Sequence, residues 1–193
     1  GELLEPAPSD RIRADRDAAQ RKTLGALAPV IADERANTQR RKRSAAGAAP
    51  QGAMSLLLLD TSVLIASLDS DESAHLACDR LLAQGGHSVY AHALAETFSI
   101  LSGGRQTRRL RAALVAQLIE DSVLPFVQLV HLTGKETMTA IADCERRGVR
   151  GGAVYDLLHL AAARKAGAQA VVTLDLRDLQ ALSKPGDPAI RAP

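Results

Sequence analysis

From Met54 onward, short runs of apolar residues alternate with stretches in which apolar side chains recur every three or four positions. Leu56-Leu57-Leu58-Leu59 is an unbroken run, the pattern of a strand covered on both faces. Ala74, Ala77, Cys78, Leu81 and Leu82 then follow helical spacing, with Ser70 as the expected N-cap and Gly85-Gly86 as the stop. A second strand is expected at residues 88–91, running into a helix that Gly103-Gly104 ends. A basic helix over about residues 107–120 and a strand at 126–130 follow. Thr133 and Glu136 form a capping box opening a helix that reaches Arg147. Another helix spans about residues 152–165, with Arg164 and Lys165 in its last turn and Gly167 beyond it, as the helix dipole and C-cap preferences favour. Residues 170–174 are the last clear strand, and a short helix follows Asp175. Strands alternating with helices predict an α/β domain: a central, mainly parallel sheet of four to five strands flanked by helices.

The preceding residues do not share this pattern. Residues 1–53 contain Pro6, Pro8, Pro29 and Pro50, the run Arg40-Arg41-Lys42-Arg43 and an Ala/Gly stretch at 45–49. Their only apolar group is Leu24, Leu27, Val30 and Ile31. Such a segment buries little and is expected to be a poorly structured or partly helical extension or linker, leaving residues 54–193 as the domain. The extension also carries the positive charge. It holds 10 Lys+Arg against 7 Asp+Glu, a net of +3, whereas residues 54–193 hold 14 against 15, a net of −1. The overall +2 is therefore no argument for a basic nucleic-acid surface on the domain.

Aromatic residues make up 2% of the chain and Trp is absent, which excludes binding modules built on rows of stacked rings. Cys78 and Cys144 are isolated thiols without metal-ligand spacing, a usage that fits the reducing cytoplasm. No apolar run approaches a membrane span, and no signal segment is recognisable, so neither membrane insertion nor secretion is expected.

In an open α/β sheet, ligands bind beyond the carboxyl ends of the strands, so the residues just after each apolar run are the informative ones. Asp60 follows the first run and Asp175 the last. Asp156 falls in the first turn of a helix, where the dipole favours a negative charge. Glu96 sits one turn into the helix after Tyr90, among Ala93, Leu94, Ala95, Phe98 and Ile100. Carboxylates that converge raise one another's pKa values unless a cation lies between them. Hard oxygen donors select Mg2+ or Mn2+, whose chemistry suits phosphodiester hydrolysis.

Four stretches carry a resemblance: Leu58-Leu59-Asp60-Thr61-Ser62-Val63-Leu64-Ile65, Ala95-Glu96-Thr97-Phe98-Ser99-Ile100-Leu101, the segment from Ala153 through Tyr155-Asp156-Leu157-Leu158-His159 to Ala163, and Val171-Val172-Thr173-Leu174-Asp175-Leu176-Arg177-Asp178-Leu179. In order and spacing they resemble the acidic motifs of the PIN-domain family, and among its members the VapC-type toxin ribonucleases of type II toxin-antitoxin systems. The resemblance covers residues 54–193 and none of the first 53. It implies a three-layer PIN-like fold with Asp60, Glu96, Asp156 and Asp175 as metal-binding and catalytic acids, and with Ser62 and Thr173 as supporting hydroxyls. Many relatives have Asn at the position of Asp175 and an acid at that of Asp178, so the fourth acid is either; the strand-end position favours Asp175. The resemblance further implies cleavage of a structured RNA such as tRNA or rRNA, homodimerisation, and a cognate antitoxin that blocks the acidic pocket.

Other readings compete at single positions. Asp60 in Asp-x-Ser is also a helix-cap pattern. His159, three residues after Asp156, shares its side of the helix and is expected to pack rather than act as a base. Arg105, Arg108 and Arg109 either grip phosphates or form a solvated face, and the same holds for Arg146, Arg147 and Arg150. A phosphatase with an Asp nucleophile would need a second Asp where Ser62 stands, and a dinucleotide-binding enzyme a Gly-rich turn where Asp60-Thr61-Ser62-Val63 stands. An inactive PIN-like module that binds RNA or protein is the remaining alternative, against which the retention of all four acids counts.

Overall fold

The computed structural model describes residues 56–103 and 110–193; the expected extension, residues 1–53, and Arg105, Arg108 and Arg109 lie outside the described residues. Strand β1 (Leu57–Leu59) leads through Asp60 into helix α1 (Thr61–Leu68). Helix α2 (His75–Gln84), strand β2 (His87–Tyr90), helix α3 (His92–Gly103), helix α4 (Ala112–Ser122) and strand β3 (Val127–Val130) follow. Helices α5 (Gly134–Ala142), α6 (Cys144–Arg147) and α7 (Val154–Ala166) precede strand β4 (Ala170–Val172), helix α8 (Leu176–Leu182) and strand β5 (Ala189–Arg191).

The strands form one sheet in the order β3-β2-β1-β4-β5, and every pairing is parallel. Side chains of successive strand residues point to opposite faces. Leu57, Leu59, Val89 and Val172 accordingly join the aliphatic core beneath α1 to α4, and Leu58, Val171 and Ile190 join the core with α7 and α8. Both cores are built on continuous apolar strands, which is why β1 and β4 were legible as runs without alternation. The α/β expectation with three layers is met.

Several boundaries differ from expectation for physical reasons. Strand β5 escaped notice because it is three residues long and lies at the sheet edge with exposed ends. Ser70 does not cap α2. The Asp69 side chain accepts the Asp71 amide (3.0 Å) in the turn after α1, and α2 starts later, after Ala74, without a side-chain cap. The basic helix begins at Ala112, its expected start at 107–109 lying outside the described residues. The capping box of Thr133 and Glu136 is present, but the helix it opens breaks at Asp143, which ends α5 and turns its carboxylate to Arg146 and Arg147 of α6. Strand β4 ends at Val172, so Asp175 lies three residues past the strand rather than at its tip.

Arg147 is not a phosphate ligand, one of the two readings open for it. Its side chain is largely covered, Nε donating to Asp143 (2.5 Å) and Nη1 to Asp187 (2.6 Å) and to the Leu182 carbonyl (3.0 Å). Asp187 also pairs with Arg164 of α7. Burial pushes the Asp187 carboxyl up, but the bonds from Arg147, the Lys184 amide and Arg164 outweigh it and hold the group below its usual value. This network clamps the loop leading to β5 against α6 and α7. Truncating one member strands buried charge, so Arg147→Ala is expected to lower stability by about 3–5 kcal/mol in urea unfolding monitored by circular dichroism.

Candidate active site

The chain runs from β1 to β2 and β3 on one side of the sheet, then returns to place β4 on the other side of β1. The carboxyl ends of β1 and β4 therefore meet at a topological switch point, where α/β folds leave a crevice. Asp60 follows β1, Thr173 follows β4, Glu96 comes from α3 after β2, and Asp156 stands in the first turn of α7. A cleft of about 530 Å³ opens there, and Asp60, Glu96, Asp156 and Asp175 all line it. Asp178 does not line it, although its charge reaches both Asp156 and Asp175.

Asp60 is a helix cap and a cleft residue at once. It is 6% exposed and N-caps α1, while its amide donates to the Val172 carbonyl (3.0 Å), tying β1 to β4 past the end of the ladder. Both expected supporting hydroxyls meet on its Oδ2, Ser62 Oγ at 2.7 Å and Thr173 Oγ1 at 2.9 Å. Each hydroxyl also accepts an amide from the next turn: Ser62 from Leu174 (3.0 Å), Thr173 from Asp175 (2.9 Å). The backbone carrying Asp175 is thereby positioned by the residues that hold Asp60.

His159 packs in the core, as expected, but that reading is incomplete. Its ring lies between two of the acids, Nε2 at 3.2 Å from Glu96 Oε2 and Nδ1 at 3.5 Å from Asp60 Oδ1. The first contact is a hydrogen bond; the second is a proximity of charge without hydrogen-bond alignment. Burial lowers the pKa of this imidazole, yet the bond to Glu96 and the charges of Asp60, Glu96 and Asp156 prevail and raise it above the ordinary value. Glu96 also accepts from Thr61 Oγ1 at 2.6 Å. Burial pushes the Glu96 carboxyl up, and the bonds from His159 and Thr61 bring it below its usual value. Thr61 and His159 are site residues that sequence reasoning left out. The only visible signal for His159 was its spacing from Asp156, and Thr61 carried none.

The other wall is met only in part, His159 acting on Asp156 through its charge without a hydrogen bond to it. Burial, then the proximity of Asp60, push the Asp156 carboxyl up to about 6, and the same causes in the same order raise Asp175. Among the described residues no group of three or more His, Cys, Asp or Glu side chains forms a ready-made set for an ion. Glu96 is turned to Thr61 and His159 instead.

A family model, the PIN domain, matches residues 57–184. The chain belongs to the PIN-domain family. Two relatives of this PIN-domain protein are Ribonuclease VapC40 and Ribonuclease VapC27 of Mycobacterium tuberculosis, each 32% identical over 130 residues. The first alignment covers 63% of this chain and 87% of the relative, the second 67% and 92%. Among solved structures, VapC20 of M. tuberculosis, described as a Sarcin-Ricin loop cleaving toxin, superposes with a TM-score of 0.53 at 25% identity, covering 68% of this chain and 99% of that one. The PIN fold and the VapC resemblance of the motifs are thus both met.

A buried imidazole with a raised pKa stabilises a fold while it is protonated. Its contribution is full below pH about 6.5, the unfolded value, and is lost as pH rises through the higher folded value. In EDTA, His159→Leu is expected to cost about 2 kcal/mol at pH 6 and less at pH 9, measured by urea unfolding at both pH values.

Proposed function

We propose that this PIN-domain protein is a metal-dependent endoribonuclease, the toxin of a type II toxin-antitoxin pair. The observation that carries the reading is the convergence of Asp60, Glu96, Asp156 and Asp175, from four separate stretches of chain, on one cleft at the switch point. A divalent ion suits this donor set because it is all carboxylate oxygen, and because Asp156, pushed up to about 6, bears negative charge that the nearby His159 offsets only in part. Asp60, Asp156 and Asp175 would hold Mg2+ or Mn2+, with Glu96 completing the acidic set. When bound, the ion supplies a lowered pKa for water and stabilisation of charge on the phosphate.

The chain's own groups do the rest. Ser62 and Thr173 fix Asp60, and His159 and Thr61 fix Glu96, so the acids keep their places while phosphate enters. Water attacks phosphorus, the 3′-oxygen leaves, and the product carries a 5′-phosphate. Similarity to ribonucleases and to a sarcin-ricin loop cleaving toxin supports a structured RNA as substrate. We assign the protein to the cytoplasm as a homodimer with an antitoxin that covers the acidic cleft. Residues 1–53 serve as an extension to the domain at 54–193, and Arg105, Arg108 and Arg109 as RNA contacts. No helix among the described residues is long and apolar enough to cross a membrane.

RNA cleavage is expected from wild type with Mg2+ and not with EDTA, and Asp60→Asn or Asp156→Asn should reduce it more than about a hundredfold. Thr173→Ala, which removes one of the two hydroxyls that hold Asp60, should cost about 10- to 100-fold. Cleavage by the double Asn variant at the wild-type rate would refute the assignment. The ionised form of Asp156 is the one that binds a cation, so the rate should fall as pH drops through about 6. Raising Mg2+ should move that midpoint lower, because the ion competes with the proton.

A further inference from the structure

The cleft holds a share of rings out of proportion to the chain, which has 2 Tyr, 2 Phe and no Trp. Tyr155 lines it with His92 and His159, and Tyr90, which is not part of the lining, packs against both histidines. Tyr90 meets His159 edge-on (5.6 Å, 83°) and lies 6.0 Å from His92, and His92 stacks on Tyr155 with centroids 5.3 Å apart and planes 10° from parallel. The two ends of this cluster differ. His159 is buried and Tyr90 half-buried, whereas His92 and Tyr155 are exposed, Tyr155 at 44%, and both line the cleft. Among the described residues neither exposed ring is engaged in a side-chain hydrogen bond. Core packing does not account for two parallel rings left open to solvent beside an acidic cleft.

The geometry points to the His92–Tyr155 pair as a stacking shelf for an unpaired nucleobase of the RNA, next to the phosphate at the acids. This inference rests on the ribonuclease reading and names how that substrate is held. His92 precedes Glu96 by one helical turn on α3, a separation of about 5–6 Å, and Tyr155 is the residue before Asp156 on α7. The shelf is therefore carried by the same helices as two of the acids and sits within a nucleotide's reach of them. Energetics favour the same assignment. A cleft lined by four carboxylates repels the phosphates flanking the one it cleaves, so a contact indifferent to that charge adds affinity there. Stacking on a ring is such a contact, it accepts every base, and its loss weakens binding by about ten- to a hundredfold per base. Ile65 and Ile100, also lining the cleft, add apolar surface for the base.

Absence of Trp makes the test direct, since tyrosine fluorescence in this chain comes from Tyr90 and Tyr155 alone. In full-length protein carrying Asp156→Asn to block hydrolysis and Tyr90→Phe to leave one fluorophore, octaadenylate is expected to quench Tyr155 emission. It should also bind about tenfold more tightly than an abasic octamer of equal charge. Measured by anisotropy of labelled oligomers in the Asp156→Asn background, Tyr155→Phe should keep this preference for bases, and Tyr155→Leu and His92→Leu should each abolish it. Should Tyr155→Leu fail to fold by circular dichroism, His92→Leu and Tyr155→Phe decide. Equal affinity for the two oligomers, or a preference that survives His92→Leu, overturns the shelf. RNA cleavage by wild type without any base-dependent binding removes the shelf and leaves the nuclease; base-dependent binding lost on His92→Leu, with no cleavage in Mg2+ or Mn2+, does the reverse.

Discussion

Two hydroxyl groups meeting on one oxygen of Asp60 are the interaction around which this end of the molecule is built. Ser62 follows β1 and Thr173 follows β4, strands far apart in sequence that become neighbours because the chain reverses direction across the sheet. A nearly buried carboxylate needs such donors. The same two hydroxyls accept amides from Leu174 and Asp175, so one small network holds the first acid and sets the approach of the last.

The cleft is electrically lopsided. On one wall His159 stands between Asp60 and Glu96, and that part of the negative charge is met from within the protein. On the other, Asp156 and Asp175 face Asp60 and Asp178, the charge of His159 reaches Asp156 without overcoming them, and after burial the neighbouring acids raise both carboxyls. An incoming cation has most to offer the second wall.

Much of this was legible in the sequence because it depends on local chemistry. β1 and β4 announced themselves as apolar runs, the capping box at Thr133 and Glu136 and the stop at Gly167 were read correctly, and the four acids proved to share a cleft. What stayed hidden depends on tertiary placement. A strand of three exposed or half-exposed residues at a sheet edge, β5, has no pattern to read. Thr61 carried no signal of its own, and only the position of α3 makes it a donor to Glu96. His159 carried a visible spacing with two meanings, packing and contact with the acids, and the structure gives it both.

The strand order has a consequence for synthesis. A polypeptide emerges amino end first, and β1, destined for the middle of the sheet, must wait with one flank bare until β4 is made. Until then the amide of Asp60 lacks the Val172 carbonyl, and its side chain lacks Thr173. The cleft is thus among the last things translation completes, and a nascent chain still tethered to the ribosome carries Asp60, Glu96 and Asp156 without the contacts from β4 that hold Asp60 in place.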